Sequence, residues 1–176
     1  NKEINSKVIQ YFKSIQKENI DGINNLTPSY NKLIISFDLK ITNFREVKRF
    51  VENLKVEDTH VLNSKKLEIP VCCHETFSLD INRLEKILNL SREKILMNFF
   101  DREYFCYMTG FIAGMPFLGD LDNNMRAERL ETPRVKVPKG SVGLTEQFAN
   151  IYTFESPGGW NILGNTPLNV FDSSNE

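Results

Sequence analysis

Apolar residues recur at helical spacing in four segments of the chain, with polar residues between them. The first segment runs from Ile4 to Ile15. Asn43, with Glu46 three residues later, resembles a capping box and predicts the start of the second helix. Serine and aspartate also cap helices, because their side chains accept hydrogen bonds from free backbone amides. Two further helices are therefore predicted to begin after Ser78 or Asp80 and after Ser91.

Two strands are predicted between the first two helices, at Ile23–Leu26 and Lys32–Asp38. The order helix–strand–strand–helix is the middle of the β-α-β-β-α-β order of a ferredoxin-like domain. We therefore predict a small ferredoxin-like α+β domain in residues 1–65, without its opening strand. The polar stretch 56–66 is predicted to be a linker, with a short closing strand at Thr59–Leu62.

Residues 66–176 are predicted to form a second, β-rich domain that opens with a strand at Leu67–Cys73 and carries the two later helices. Eight of the nine glycines lie between Tyr104 and Asp172, among short apolar runs. Glycine and proline at such intervals predict tight turns between short strands, as in a compact barrel. Strands are expected at Tyr104–Phe111, Ile151–Phe154 and Trp160–Leu163.

Charge and composition argue against several classes of partner. The net charge is −1 and basic residues are scattered among acidic ones, which disfavours nucleic acid and anionic membranes. The sequence shows no apolar run long enough for a transmembrane helix and no signal peptide, so we expect a cytoplasmic protein. Three cysteines, of which Cys72 and Cys73 are adjacent, do not form a disulfide framework, and we expect all three in buried strands. Two distant histidines do not predict a metal site.

Three ordered motifs between Gly110 and Pro167 carry a resemblance to a known family. They are Gly-Phe-x-x-Gly-x-Pro-Phe-Leu-Gly from Gly110, Pro-Arg followed by Val-Pro-x-Gly-Ser-Val-Gly from Pro133, and Ser-Pro-Gly-Gly-Trp-x-x-x-Gly-x-Thr-Pro from Ser156. The chain resembles the family of 5-oxoprolinase B subunits, whose members are also named sporulation-kinase inhibitor or allophanate hydrolase subunit 1.

The resemblance implies a cyclophilin-like β-barrel as the second domain and a role in a multi-subunit hydrolase. On this basis the chain is expected to act with the A and C subunits in the ATP-dependent opening of 5-oxoproline to L-glutamate. The kinase-inhibitor relatives imply an alternative, in which the chain binds a sporulation-type histidine kinase and performs no chemistry. Allophanate hydrolysis is a third possibility that the shared names imply.

Arginines supply the first candidate site. Arg126, Arg129 and Arg134 lie close together in sequence, and a guanidinium binds a carboxylate through two parallel hydrogen bonds. Both 5-oxoproline and allophanate carry a carboxylate, so Arg134 and then Arg129 are the leading candidates for ligand or partner binding. Pairing with the neighbouring acidic residues on the surface is the alternative explanation.

Gly140 and Ser141 are the second candidate, because successive amides in a glycine-rich turn can form an anion-binding nest. A turn that connects two strands is the alternative, and Lys139-Gly140-Ser141 has the wrong order for a phosphate loop. Ser141 as a nucleophile would need a base that no motif supplies.

Aromatic residues supply a third candidate. Phe111, Pro116 and Trp160 are possible binding residues, and Phe111 and Trp160 with Met115, Phe117 and Phe154 would make an apolar groove. The interpretation we favour for these five is that they fill the core of a small barrel.

Two departures from the family pattern bear on catalysis. Family members carry a histidine where this chain has Phe99, and a Gly-x-Gln-Thr-Gly segment where it reads Glu146–Asn150. An imidazole moves protons near neutral pH and a phenyl ring does not. No catalytic residue is assigned, and the departures favour a binding role.

Overall fold

A computed structural model describes residues 2–56 and 65–174. The chain forms two compact units, residues 1–66 and residues 67–176, each with its own packing. The strand predicted at Thr59–Leu62 lies outside the described residues. Across the described part, no helix has the length and apolarity needed to cross a membrane.

The first unit has the predicted order of helix, two strands and helix. Its elements are α1 (Lys2–Glu18), β1 (Ile23–Pro28), β2 (Leu33–Phe37) and α2 (Phe44–Asn53). The strands pair antiparallel, and α1 buries Val8 and Ile15. The buried Asn5 side chain donates to the carbonyls of Ser29 (3.3 Å) and Tyr30 (3.0 Å), which ties α1 to the turn between the strands.

The predicted cap of α2 is confirmed. The Asn43 side-chain oxygen accepts hydrogen bonds from the amides of Arg45 (3.0 Å) and Glu46 (3.2 Å). The Glu46 carboxylate accepts a hydrogen bond from the Thr42 hydroxyl at 3.0 Å. Asn43 therefore fixes the residue at which α2 begins.

Within its described residues, 67–174, the second unit combines two short helices with seven short strands and a 3₁₀ turn at Asn123–Met125. Asn89 ends the first of these helices in the left-handed conformation, with φ of 52°, and Ser91 caps the second. The helices are α3 (Ile81–Leu88) and α4 (Arg92–Phe100), and the strands are β3 (Phe105–Thr109), β4 (Pro116–Gly119), β5 (Arg134–Val137), β6 (Ser141–Thr145), β7 (Phe148–Ile151), β8 (Ser156–Gly158) and β9 (Asn161–Asn165).

Five strands form one antiparallel sheet in the order β3-β4-β7-β6-β9, and β5 pairs with β8 in a separate two-stranded sheet. The larger core lies where α3 and α4 contribute Leu84 and Ile95 against Leu144 of β6 and Leu163 of β9. A smaller cluster contains Met115, Val137, Tyr152 and Ile162. Removal of this apolar surface from water is the main force that holds the second unit together.

Two predictions for residues 67–73 are wrong. Only Cys72 pairs with the sheet, through a single bridge to Asn165, and the rest of Leu67–Cys73 forms no strand. Pro70 has no amide hydrogen, so it cannot donate to a strand ladder there. The expected burial of the cysteines is also wrong for Cys106, which lies in β3 but is exposed; Cys72 is exposed and Cys73 is half-buried.

Replacement of Asn43 by alanine should lower the free energy of unfolding of the first unit by about 1 kcal/mol, because two amides of α2 lose their acceptor. Urea unfolding followed by circular dichroism measures this change. Ser174→Ala, which lies in the second unit, is the control and should leave the transition of the first unit unchanged. An unchanged transition in Asn43→Ala would show that the cap does not stabilise α2.

Candidate functional site

Arg134 and Asp80 form the most buried ion pair among the described residues. Arg134 begins β5, opposite Gly158 of β8. Its Nη2 donates to Oδ1 of Asp80 at 2.6 Å, and the two side chains are 27% and 5% exposed. Little water reaches the carboxylate, so the attraction is screened less than in a surface pair.

Asp80 also binds β9 through both its side chain and its backbone. Its second carboxylate oxygen accepts a hydrogen bond from the Ile162 amide at 2.7 Å, and its own amide donates to the Ile162 carbonyl at 3.0 Å. One residue thus connects the start of α3, the strand β9 and the arginine of β5.

The prediction that Ser78 or Asp80 caps α3 is therefore wrong in its detail. Asp80 stands at the N-cap position but makes no capping hydrogen bond with its side chain. The Ser78 hydroxyl donates to the carbonyls of Cys73 (2.9 Å) and Leu163 (2.7 Å). Both side chains are committed to tertiary contacts, which a local sequence pattern does not reveal.

Tyr152 lies beneath β8 and packs against a glycine. A Cβ atom built on Gly158 would stand 2.1 Å from the Tyr152 hydroxyl oxygen, so any side chain at this position collides with the phenol. Tyr152 is 1% exposed. Because Gly158 has no side chain, the Tyr152 hydroxyl can contact β8, the strand that pairs with β5 opposite Arg134.

Burial raises the pKa of the Tyr152 phenol above its ordinary value. Hydrogen bonds with the Asn150 side chain and the Trp160 backbone oppose this rise, as do the charges of Arg129 and Arg134. The phenol stays protonated at neutral pH. Both guanidinium groups lie close enough to act on it.

Arg129 approaches the same place from the loop before β5. A Cβ on Gly159 would lie 3.3 Å from its Nε and 3.3 Å from its Nη2, so the guanidinium covers Gly159. The Leu130 amide donates to the Gly159 carbonyl at 2.6 Å. Arg129 itself is exposed, and within residues 2–56 and 65–174 it forms no ion pair.

A third arginine, Arg83, and an asparagine, Asn161, hold that loop in place. Nη1 of Arg83 donates to the Glu128 carbonyl at 3.4 Å and to the side-chain oxygen of Asn161. The fully buried Asn161 side chain donates to the Glu128 carbonyl at 3.0 Å and to the Leu144 carbonyl at 3.2 Å. These bonds set the position of the backbone that carries Arg129.

Three polar atoms near this cluster are buried without a hydrogen-bond partner in the described part of the chain. They are Nη1 of Arg134, Oδ1 of Asn150 and Oγ of Ser156. Ser156 is in the strand β8 that pairs with β5, and Asn150 lies beside the Tyr152 phenol. Unsatisfied buried polar atoms cost free energy and are uncommon in folded proteins.

Gly140 lies in the turn before β6 and Ser141 is the first residue of that strand, and their amides are not free to form an anion nest. Gly140 has φ of +82°, donates from its amide to the Tyr152 carbonyl (2.7 Å) and accepts from the Thr166 amide (2.8 Å). The Ser141 amide donates to the Pro138 carbonyl at 3.2 Å, and the residue is 2% exposed. Both amides are occupied, and a buried hydroxyl is not accessible as a nucleophile.

The interpretation that the aromatic candidates fill the core is wrong for two of them. Phe111 is 71% exposed and Phe154 is 41% exposed. Met115 is buried, and the half-buried Trp160 ring packs edge-on against Phe117 with centroids 5.6 Å apart. The last of the predicted binding residues, Pro116, is buried at the start of β4.

The two positions that differ from the family pattern have structural roles. Phe99 is 2% exposed in the larger core, with its ring centroid 5.4 Å from that of Tyr104. Glu146, with φ of +47°, and Gln147 form the turn between β6 and β7. The buried Asn150 of this segment belongs to the polar cluster described above.

A separate concavity of about 370 Å³ opens on the second unit and contains none of the cluster residues. Arg102 there pairs with Asp122 at 2.8 Å and donates to the Asp120 carbonyl. Its lining residues are Met97, Asn98, Asp101, Arg102, Glu103, Asp122 and Asn124. The lining carries three carboxylates against the one guanidinium of Arg102, so the concavity is acidic.

Comparison with known proteins assigns the chain to a family. All of residues 1–176 match the family described as carboxyltransferase domain, subdomain C and D. The chain belongs to this family. This carboxyltransferase-domain chain is 31% identical to the 5-oxoprolinase B subunit of Bacillus subtilis (strain 168), over 97% of this chain and 76% of the relative.

A second relative of the same name, from Haemophilus influenzae, is 34% identical over 87% of this chain and 68% of its own length. Among solved structures, that of TTHA0988 superposes with a TM-score of 0.83 at 27% identity. It covers 98% of this chain, which spans only 34% of the TTHA0988 chain. The family membership predicted from the three motifs is therefore confirmed.

Replacement of Arg134 by alanine should lower the free energy of unfolding by about 2 kcal/mol, because the buried Asp80 carboxylate loses its counter-charge. Lys136→Ala is the control on the same strand. It breaks a pair with Glu155 whose side chains are 73% and 50% exposed, and should cost about 0.5 kcal/mol or less. Urea unfolding measures both, and equal effects would contradict a structural role for the Asp80 pair.

Replacement of Gly158 by alanine should destabilise the second unit by about 2 kcal/mol, since the new methyl group collides with the Tyr152 phenol. Gly159→Ala is the control, because its Cβ meets the flexible Arg129 side chain at 3.3 Å and the Leu130 carbonyl at an ordinary contact distance of 3.5 Å. Tyr152→Phe should partly rescue Gly158→Ala by removing the nearest colliding atom. A missing rescue in thermal unfolding would show that the phenol is not what excludes a side chain at Gly158.

Proposed function

We propose that this chain is the B-type component of a 5-oxoprolinase that opens 5-oxoproline to L-glutamate at the expense of ATP. The observation that carries the proposal is 31% identity to a 5-oxoprolinase B subunit over 97% of this chain. Because the relative is named as a subunit, we infer that this chain also acts with partner subunits. We take these partners to be of the A and C types.

The chemistry of the described residues supports a contribution to a shared site. The cluster around Arg134 supplies positive charge, which suits recognition of an acid. Ser141 is buried in β6 and has no base beside it in the described residues. The sequence contains no phosphate loop, so we place the ATP site on the partner subunits.

A protein-binding role is the second candidate, as an inhibitor of a sporulation-type histidine kinase. It is favoured by Phe111, whose ring is 71% exposed on a backbone with φ of +69°. A bulky residue in this region is an outlier, and outliers cluster at functional sites. An exposed aromatic ring suits contact with another protein.

The test is 5-oxoproline-dependent ATP hydrolysis by this chain alone, by candidate A and C subunits together, and by all three. Activity is expected only in the three-component mixture. The B subunit of Bacillus subtilis, added to its own partners, is the positive control. If A and C alone are as active as the full mixture, or if the mixture is inactive while the control works, the 5-oxoprolinase role is contradicted.

A further inference from the structure

We propose that the free edge of β2 pairs with β2 of a second copy of this chain, antiparallel and across a two-fold axis. The axis passes through Ile35, and the two hairpins together form one four-stranded sheet. This inference concerns the first unit alone and does not depend on the proposed function.

β2 has a neighbouring strand on one side only. It pairs with β1 in a two-stranded sheet, and α1 contacts both strands. No other backbone hydrogen bond connects Leu33–Phe37 to the rest of the described chain. Two strands alone are marginally stable, and a sheet gains stability from a third strand. The second edge of β2 is therefore available to another strand.

The backbone groups that reach this free edge follow from the turns at either end of the hairpin. The Asp38 amide donates to the Gly22 carbonyl at 2.7 Å, and the Ser29 amide donates to the Lys32 carbonyl at 2.8 Å. Residues 32 and 38 thus point their backbone groups towards β1. Because this direction alternates along a strand, the residues that point theirs into the free edge are Leu33, Ile35 and Phe37.

The edge of β1 is protected against further pairing, whereas that of β2 is not. Natural edge strands carry prolines, charges or bulges that prevent pairing with another chain. β1 has a bulge between Ile23 and Asn25, and it ends at Pro28, which has no amide hydrogen. β2 reads Leu-Ile-Ile-Ser-Phe, with no proline and no charge. The free edge is thus of the kind to which an extended strand adds.

One two-fold register uses all three residues that point into the free edge. When the axis passes through Ile35, this residue faces its own copy, and Leu33 faces Phe37 of the second copy. These are hydrogen-bonded pairs, in which each residue contributes both its amide and its carbonyl. An axis one residue earlier or later would leave Phe37 or Leu33 opposite a residue outside β2, and fewer bonds would form.

The same register matches the two faces of the sheet. Leu33, Ile35 and Phe37 are half-buried on one face. Ile34 and Ser36 are exposed on the other face. Pairing about Ile35 sets half-buried residues against half-buried residues of the second copy, whereas a slip by one residue would mix the two faces. The apolar row of β2 therefore continues across the axis.

Charges at the two ends of β2 identify a second copy as the partner. Lys32 precedes the strand and Asp38 follows it. With the axis at Ile35, Lys32 lies opposite Asp38 of the second copy, and the same pair recurs on the other side of the axis. Opposite charges directly across an antiparallel pair stabilise it. The segment is thus complementary to itself in its backbone groups, its apolar face and its charges.

Sedimentation velocity of the full chain over a concentration series, with amide hydrogen exchange followed by nuclear magnetic resonance, tests this dimer. We expect the dimer fraction to rise with concentration. The amides of Leu33, Ile35 and Phe37 should exchange more slowly as it rises, because they gain acceptors. The amides of Ile34 and Ser36, which already face β1, should change little.

Lys32→Glu tests the register through charge. It replaces both pairs of opposite charges by repulsive ones, and it should raise the dissociation constant of the dimer about tenfold. Lys13→Glu, at an exposed position of α1, makes the same change of net charge away from the free edge and should leave the dimer unchanged. Equal effects of the two variants would overturn the proposal.

Three other results would also overturn it. A monomer at every concentration would exclude a second copy, and protected amides at Leu33, Ile35 and Phe37 in that monomer would assign the edge to another segment of this chain. A dimer in which these three amides stay unprotected would have its interface elsewhere. Protection that appears only after a candidate A or C subunit is added would assign the edge to a partner subunit.

Discussion

The buried carboxylate of Asp80 is the interaction on which the arrangement of the second unit depends. Its two oxygens bind different elements, the guanidinium of Arg134 on β5 and the amide of Ile162 on β9. Because Asp80 also begins α3, these bonds join the two sheets at the end of a helix that packs in the larger core. An ionised group this deeply buried is stable only while both partners remain in place.

The same constraint explains why the candidate site lies where it does. Asp80 orients Arg134 across from Gly158, and the buried Tyr152 phenol requires glycine at that position. The Asn161 side chain, next to Ile162, holds the loop that brings Arg129 over Gly159. These contacts place Arg129, Arg134 and the buried Tyr152 phenol around the same two glycines.

Local elements could be predicted from the sequence, whereas tertiary roles could not. Helical periodicity and the cap at Asn43 depend on neighbours a few residues apart, so α1 and α2 could be anticipated. The roles of Asp80 and Tyr152 depend on partners 54 and six positions away, which no local pattern displays. The failed strand at Leu67–Cys73 has the same origin, because strand formation needs a partner as well as an apolar run.

The candidate site was anticipated in part, since the motifs drew attention to Arg129 and Arg134. The alternative, in which these arginines form only surface ion pairs, could not be judged from the sequence. It depends on the burial of Asp80, whose side chain is 5% exposed.

A double-mutant cycle on Asp80→Ala and Arg134→Ala, read out by urea unfolding, tests the central claim most directly. If the pair organises the second unit, the two losses will not add, and the coupling free energy will be about 2 kcal/mol. Additive losses, with coupling below about 0.3 kcal/mol, would show that Asp80 and Arg134 contribute independently and that the pair does not organise the site.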